Sequence, residues 1–324
     1  MERVSISELS DFLIGHAQNY DAMTGCTAII APEGAFCGVD VRGGSPGTRD
    51  TDALNPINNR RVVHAILLSG GSAYGLDAAG GLMQFLEEKR IGRDMGITVV
   101  PNVCSAILFD LGVGDFRVRP DIAMGREVGE NAFLNLPFKS GNYGAGTGAT
   151  VGKVNGPKNA MKGGVGAAAF RNGDLMVGAV FAVNAVGDVV EKGEIIAGAR
   201  NTGELSFADS ESIILRRPSE QEKRTGGNTV IGCIITNADL NKAQATRLAG
   251  QGHNAIARTI RPSHSIADGD TVFAMCSGKV PAYQDAVSIL AARAAEAAIL
   301  DAVKSAETYG DYLSYKDRME QLDK

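Results

Sequence analysis

Apolar runs of strand length recur along the chain at 26–31, 36–41, 62–69, 97–100, 105–111, 165–170, 175–183, 230–236 and 271–276. Several are continuous rather than alternating, which predicts sheets covered on both faces. Three longer stretches read as helices. Residues 72–90 place Tyr74, Leu76, Ala79, Leu82, Met83, Phe85 and Leu86 at helical spacing and end in a charged Glu-Glu-Lys-Arg. Residues 239–260 open with Asp239 as the candidate N-cap and carry Ala245, Leu248, Ala249, Gly252, Ile256, Thr259 and Ile260 on one face. Residues 282–307 are rich in alanine, the strongest helix former, and are predicted to be a largely covered helix. The charged end, 312–324, is expected to fray. The mixture predicts a layered α/β architecture with helices outside two stacked sheets.

The clearest break lies at 204–228, polar and charged with little periodicity, and reads as an exposed loop running into Asn228–Thr229. A domain linker is the alternative there. Against it, residues 229–324 hold only two clear strands and two helices, too few strands for a sheet of their own. The expectation is therefore a single domain over 1–324, which a cut between Asn228 and Thr229 would not pull apart.

Composition narrows the function classes. With 44% hydrophobic and 21% charged residues the chain reads as a soluble globular protein, and a net charge of −5 gives no basic field for nucleic acid. Cys26, Cys37, Cys104, Cys233 and Cys276 lie far apart in or beside apolar segments, the pattern of reduced core thiols. No signal-peptide pattern opens the chain and no window is apolar enough to span a membrane, so cytoplasmic residence is expected. His16, His64, His253 and His264 show no metal-ligand spacing, so neither a metal nor an organic cofactor is expected.

The candidate chemistry centres on Thr229. A threonine hydroxyl is a poor nucleophile unless a neighbour takes its proton. If the Asn228–Thr229 bond breaks, Thr229 gains a free α-amine with a pKa of ~7.7–8.0 that can do so. Gly226-Gly-Asn is also ordinary turn chemistry, and a plain hairpin turn into a strand is the other reading of these residues.

Gly25-Cys-Thr, Gly38-Val-Asp-Val-Arg-Gly-Gly, Gly70-Gly-Ser-Ala-Tyr-Gly-Leu, Gly152-Lys-Val, Val183-Asn-Ala-Val-Gly, Gly227-Asn-Thr, Thr236-Asn, Arg261-Pro-x-His and Asp268-Gly-Asp-Thr occur in this order. Together they resemble the DmpA-type aminopeptidases and the nylon-oligomer hydrolases, self-processing N-terminal-nucleophile enzymes, over nearly the whole chain. The resemblance implies an α-β-β-α sandwich of the DmpA/ornithine acetyltransferase type, cut into 1–228 and 229–324 and assembled as a homotetramer. It implies Thr229 as nucleophile, Asn184 as an oxyanion donor, Lys153 as a cation near the nucleophile, and Asp268 and Asp270 as its orienting carboxylates. Tyr74 is implied to line the pocket. Some relatives carry serine at the nucleophile, and DmpA itself has serine and glutamate where this chain has Asp268 and Asp270. The implied activity is hydrolysis of peptide, amide or ester bonds through an acyl-enzyme; acyl transfer to an amine and a non-catalytic fold relative are the alternatives. Each residue has a plainer reading: a turn for Asn184 and for Asp268/Asp270, a solvated lysine for Lys153. The loop at 69–75 lacks both the P-loop ending and the dinucleotide spacing, and Ser69, Ser72 and Ser105 lack a Gly-x-Ser-x-Gly elbow.

Overall fold

One bent strand, Thr24–Val41, ties the architecture together. The runs 26–31 and 36–41 are its two halves, bent around Pro32, Glu33 and Gly34, the last with a φ of 76°. The first half pairs with Leu13–Asn19 and with Val63–Ser69; the second pairs with Thr271–Val280. The computed structural model describes residues 1–216 and 227–324.

Ten strands, the hinge strand included, form the main sheet among the described residues. On one side, in order, lie Glu2–Val4, Gly164–Asn172, Leu175–Asn184, Thr229–Ala238 and Thr271–Val280; on the other lie Val63–Ser69, Val103–Ile107 and Thr48–Arg49, with Leu13–Asn19 beside the hinge strand. Two pairs are parallel, Thr229–Ala238 with Thr271–Val280 and Val63–Ser69 with Val103–Ile107. Helices Lys242–Thr259 and Ala78–Glu88 lie in their respective crossovers, as parallel strands require.

The two halves face each other. Ile29, Ile66, Leu68 and Cys104 from one meet Val180, Ile231, Cys233 and Phe273 from the other in a common core. On the outer faces, Lys242–Thr259 and Gln284–Lys304 cover Phe181, Ile234 and Val272. Ala78–Glu88 and Ile122–Phe133 cover Ala28, Ile30, Ala65 and Leu67. Ile29 and Ile30, or Cys233 and Ile234, thus face different cores, which is why the strand runs are continuous. The four layers form the expected α-β-β-α sandwich.

Several boundaries differ from the sequence reading. The run 97–100 shrinks to Val99–Val100, paired with Arg93–Asp94, and Ile97 is exposed. The run 105–111 becomes Val103–Ile107, leaving Leu108 to Asp110 free to turn into the interior. The helix at 72–90 begins as the 3-10 turn Ser72–Asp77. Asp239 is not an N-cap, because its N–H still donates to the Val280 carbonyl at 2.8 Å. Asn241 caps instead, in a reciprocal capping box with Gln244. The helix predicted over 282–307 spans Gln284–Lys304. The end expected to fray forms the helix Tyr315–Leu322, capped by Ser314. Within 204–228, Asp209 caps the short helix Ser210–Leu215, and residues 217–226 lie outside those described. All five cysteines are buried and unpaired. Among the described residues no helix is long and apolar enough to cross a membrane.

Candidate active site

Three strand ends meet where the site forms. Asn184 is the last residue of Leu175–Asn184 and stands opposite Thr229, the first residue of Thr229–Ala238; Ile231, two residues on, is in register with Thr271. The register therefore brings Asn184, Thr229 and the Asp268–Asp270 turn to one end of the sheet.

Thr229 is 3% exposed and its hydroxyl donates to the carbonyl oxygen of Asn228, the residue just upstream. The same carbonyl accepts the Gly269 N–H at 2.9 Å. A Cβ at residue 269 would lie 2.8 Å from the Thr229 hydroxyl oxygen and as close to the Ser45 carbonyl, so only glycine fits without displacing them. The carbonyl of the Asn228–Thr229 bond is thus held between a hydroxyl and a backbone donor.

The two aspartates are buried and each is fastened by several donors. Asp270 accepts the Val230 N–H at 2.8 Å with one oxygen. Its other oxygen accepts the His264 N–H at 3.1 Å and meets His264 Nδ1 at 2.7 Å. Asp268 accepts the Ser265 N–H at 3.0 Å, the Ser265 hydroxyl at 2.5 Å and the Val186 N–H at 3.4 Å. Burial, and then the neighbouring Asp270, push the Asp268 carboxyl up to about 6. No group of three or more His, Cys, Asp or Glu among the described residues is arranged to hold a metal ion.

Asn184 is buried and its side chain is spoken for at both ends. Its Oδ1 accepts Lys153 Nζ at 2.6 Å and the Thr150 N–H at 3.0 Å. Its Nδ2 donates to the Phe109 carbonyl at 2.9 Å and to the Gly227 carbonyl at 3.4 Å. Lys153 also reaches the Asn184 carbonyl at 2.9 Å. Burial brings the Lys153 ammonium down to about 7, against the pull of Asp268 and Asp110 and with a further push from Lys162.

Five of the six side chains singled out in the sequence therefore converge: Thr229, Asn184, Lys153, Asp268 and Asp270. Tyr74 is not brought into that set. It is 58% exposed, its ring lies 3.8 Å from the Arg119 guanidinium, and no hydrogen bond joins its hydroxyl to the others among the described residues. Its turn faces outward, although the Ser72 N–H ties it to Leu108 at 2.9 Å.

Sequence reasoning missed the Gly269 N–H, because a backbone donor leaves no mark in residue type. It also missed the pairing of His264 with Asp270, although each stands in one of the ordered motifs, Arg261-Pro-x-His and Asp268-Gly-Asp-Thr; the spacing His-x5-Asp is the available signal, and residue type alone does not say that the two meet. A buried pair beneath the site was missed as well. Lys162 donates to the Thr147 and Ala149 carbonyls at 3.0 and 2.7 Å, and Asp110 accepts the Thr24 hydroxyl and the Gly71 N–H at 2.7 and 2.8 Å.

Known proteins share this arrangement of chain. The model of peptidase family S58 matches residues 5–313. An uncharacterised aminopeptidase of Mycobacterium leprae is 40% identical over 303 residues, 86% of this chain and 80% of that protein. A 6-aminohexanoate-oligomer endohydrolase of Paenarthrobacter ureafaciens is 34% identical over 273 residues, 82% of this chain and 73% of that protein. The L-aminopeptidase D-Ala-esterase/amidase of Ochrobactrum anthropi, described as a variant of the Ntn-hydrolase fold, superposes with a TM-score of 0.71 at 17% identity, over 98% of this chain and 94% of its own. A β-aminopeptidase of a Burkholderia species gives a TM-score of 0.69 at 20% identity, over 98% and 92%. Four layers in the Ntn-hydrolase arrangement, together with a family match over almost the whole length, show that this chain belongs to peptidase family S58.

Proposed function

We propose that this chain cuts itself between Asn228 and Thr229 and that the freed Thr229 then carries the family's amide hydrolysis. The observation that supports this most is the Asn228 carbonyl, met at once by the Thr229 hydroxyl and the Gly269 N–H. Attack of the hydroxyl oxygen on that carbonyl carbon would place the developing oxyanion on the Gly269 donor. Collapse breaks the C–N bond, the nitrogen takes the proton that the hydroxyl gave up, and Asn228 is left as an ester on Thr229. Water hydrolyses the ester, giving the Asn228 carboxylate and a free Thr229 amine and hydroxyl.

In the mature chain the α-amine takes the hydroxyl proton and passes it to the leaving amine of the substrate, and water then releases the acyl group. Asn184 Nδ2, released from the Gly227 carbonyl, becomes a donor for the substrate oxyanion. Asp270, held by His264 and the Val230 N–H, orients the nucleophile's strand, while Asp268 and Lys153 balance charge around it. Tyr74, exposed on its turn, is left to contact bound substrate. The names of the relatives point to small peptides, amino-acid amides or esters, or ω-amino oligomers as substrates. By resemblance to the family we infer a homotetramer of processed protomers, and from the sequence pattern, not from any relative, we infer that it works in the cytoplasm.

Intact mass and N-terminal sequencing after incubation at neutral pH test the first step. The expected result is two fragments, the smaller beginning Thr-Val-Ile-Gly. Thr229→Ala is expected to stay whole and to turn over nothing, and Thr229→Ser to keep part of both activities. Amide hydrolysis by Thr229→Ala would sink the assignment.

A further inference from the structure

Gly227, with a φ of 70°, packs against the root of the Phe109 side chain. A Cβ added at residue 227 would lie 2.0 Å from Phe109 Cγ and 2.4 Å from its Cβ. Those atoms are not the free end of a flexible group. The Phe109 carbonyl accepts Asn184 Nδ2, the preceding Leu108 N–H donates to the Ser69 carbonyl at 2.8 Å, and the following Asp110 is fixed by Thr24 and Gly71. The ring is therefore a wall anchored on both sides, and one anchor is the asparagine of the site itself.

In the uncut chain Asn228 supplies the acyl group and Gly227 is the unit before it. The same hydroxyl and the same Gly269 donor must later receive the carbonyl of a substrate, so a substrate's acyl unit takes the place of Asn228. Whatever precedes that unit is directed to the place of Gly227. We propose that Phe109 is the specificity wall of the acyl side. It admits substrates with no branch at that place: a free amino terminus, a glycyl residue or a plain methylene chain. The inference rests on Thr229 being the nucleophile.

Self-cleavage of the full chain, followed by intact mass, tests it without a known substrate. Gly227→Ala is expected to cut more slowly than the wild type by about tenfold or more, and Gly227→Ala/Phe109→Ala to cut faster than Gly227→Ala. Alanine resists a positive φ in any setting, so the rescue, rather than the loss, reports on the wall. A double variant no faster than Gly227→Ala overturns the inference, and so does a Gly227→Ala chain that cuts at the wild-type rate. A wild-type chain that never cuts removes the reading of Thr229 and the inference with it. A second readout is independent of how much variant folds: the ratio of kcat/KM for glycyl-asparagine anilide to that for alanyl-asparagine anilide. It is expected to fall by about tenfold or more in processed Phe109→Ala relative to wild type; an unchanged ratio overturns the wall.

Discussion

Lys162 is among the largest side chains that the fold removes completely from water, and its ammonium is met by backbone carbonyls. Burial brings it down to about 7, with Asp110 opposing, and Asp110 is itself pushed up to about 6 by burial. In the unfolded chain a lysine titrates near ~10.4. Between those values the unfolded state holds more protons than the folded one, so stability rises with pH above about 7; below it the cost of the buried charge is present in full. Lys153, also brought down to about 7, acts in the same direction. The buried thiols oppose this at higher pH, because burial raises them. The window that isolates the lysines is therefore roughly pH 7 to 8. Across it the wild type is expected to gain unfolding free energy, and Lys162→Met to gain about 1 kcal/mol per pH unit less. Equal slopes in denaturant titrations at the two pH values would contradict the account. Nothing in Met161-Lys162-Gly-Gly marks this lysine as buried. A lone charge in a glycine-rich stretch looks solvated, and only the three-dimensional supply of carbonyls says otherwise.

Helix Ile122–Phe133 shows why one element escaped the sequence pattern. Its buried face is Gly125, Val128, Gly129 and Ala132, nearly without apolar bulk, while Arg126, Glu127 and Glu130 give it a polar look. The helix is held by close approach rather than by large side chains. A Cβ on Gly125 would come within 1.8 Å of the Ala78 carbonyl on the neighbouring helix Ala78–Glu88. In an exposed helix, glycine to alanine is worth about 1 kcal/mol of stabilisation. Here overpacking against backbone, typically ~1–3 kcal/mol, outweighs it. Gly125→Ala is expected to lower Tm, and a rise would mean the two helices separate easily. The long apolar runs, by contrast, were legible because each strand is sandwiched and shows apolar residues on both faces. The candidate site was legible in part. Thr229, Asn184, Lys153, Asp268 and Asp270 sit at strand ends or in turns, where residue type alone supports a plain structural reading, and it was their motif order that singled them out.

At the scale of the molecule, the place of the proposed cut decides what becomes of the pieces. Strand Thr229–Ala238 lies between Leu175–Asn184, from the larger piece, and Thr271–Val280, from the smaller, and Thr271–Val280 pairs in turn with the hinge strand of the larger piece. Its residues alternate between the two cores, with Ile231, Cys233 and Ile235 between the sheets and Val230 and Ile234 under the helices. Each such apolar side chain contributes roughly 1.5–3 kcal/mol when fully buried. Helices Lys242–Thr259 and Gln284–Lys304 add their own buried faces to the same piece. Holding two separate chains together costs an estimated 4–15 kcal/mol in lost freedom, which a handful of these residues offsets. The cut protein is therefore expected to elute as one species in native gel filtration, to separate into two masses only under denaturing conditions, and to unfold in a single transition. Loss of the smaller piece on a native column would mean that the central strand is held far less tightly than its pairing on both sides requires. The same interleaving fixes the order of events. Asn184, Gly269 and Thr229 come from three strand ends that meet only in the folded sheet, so a chain kept unfolded is expected to stay whole and to begin cutting only as it refolds.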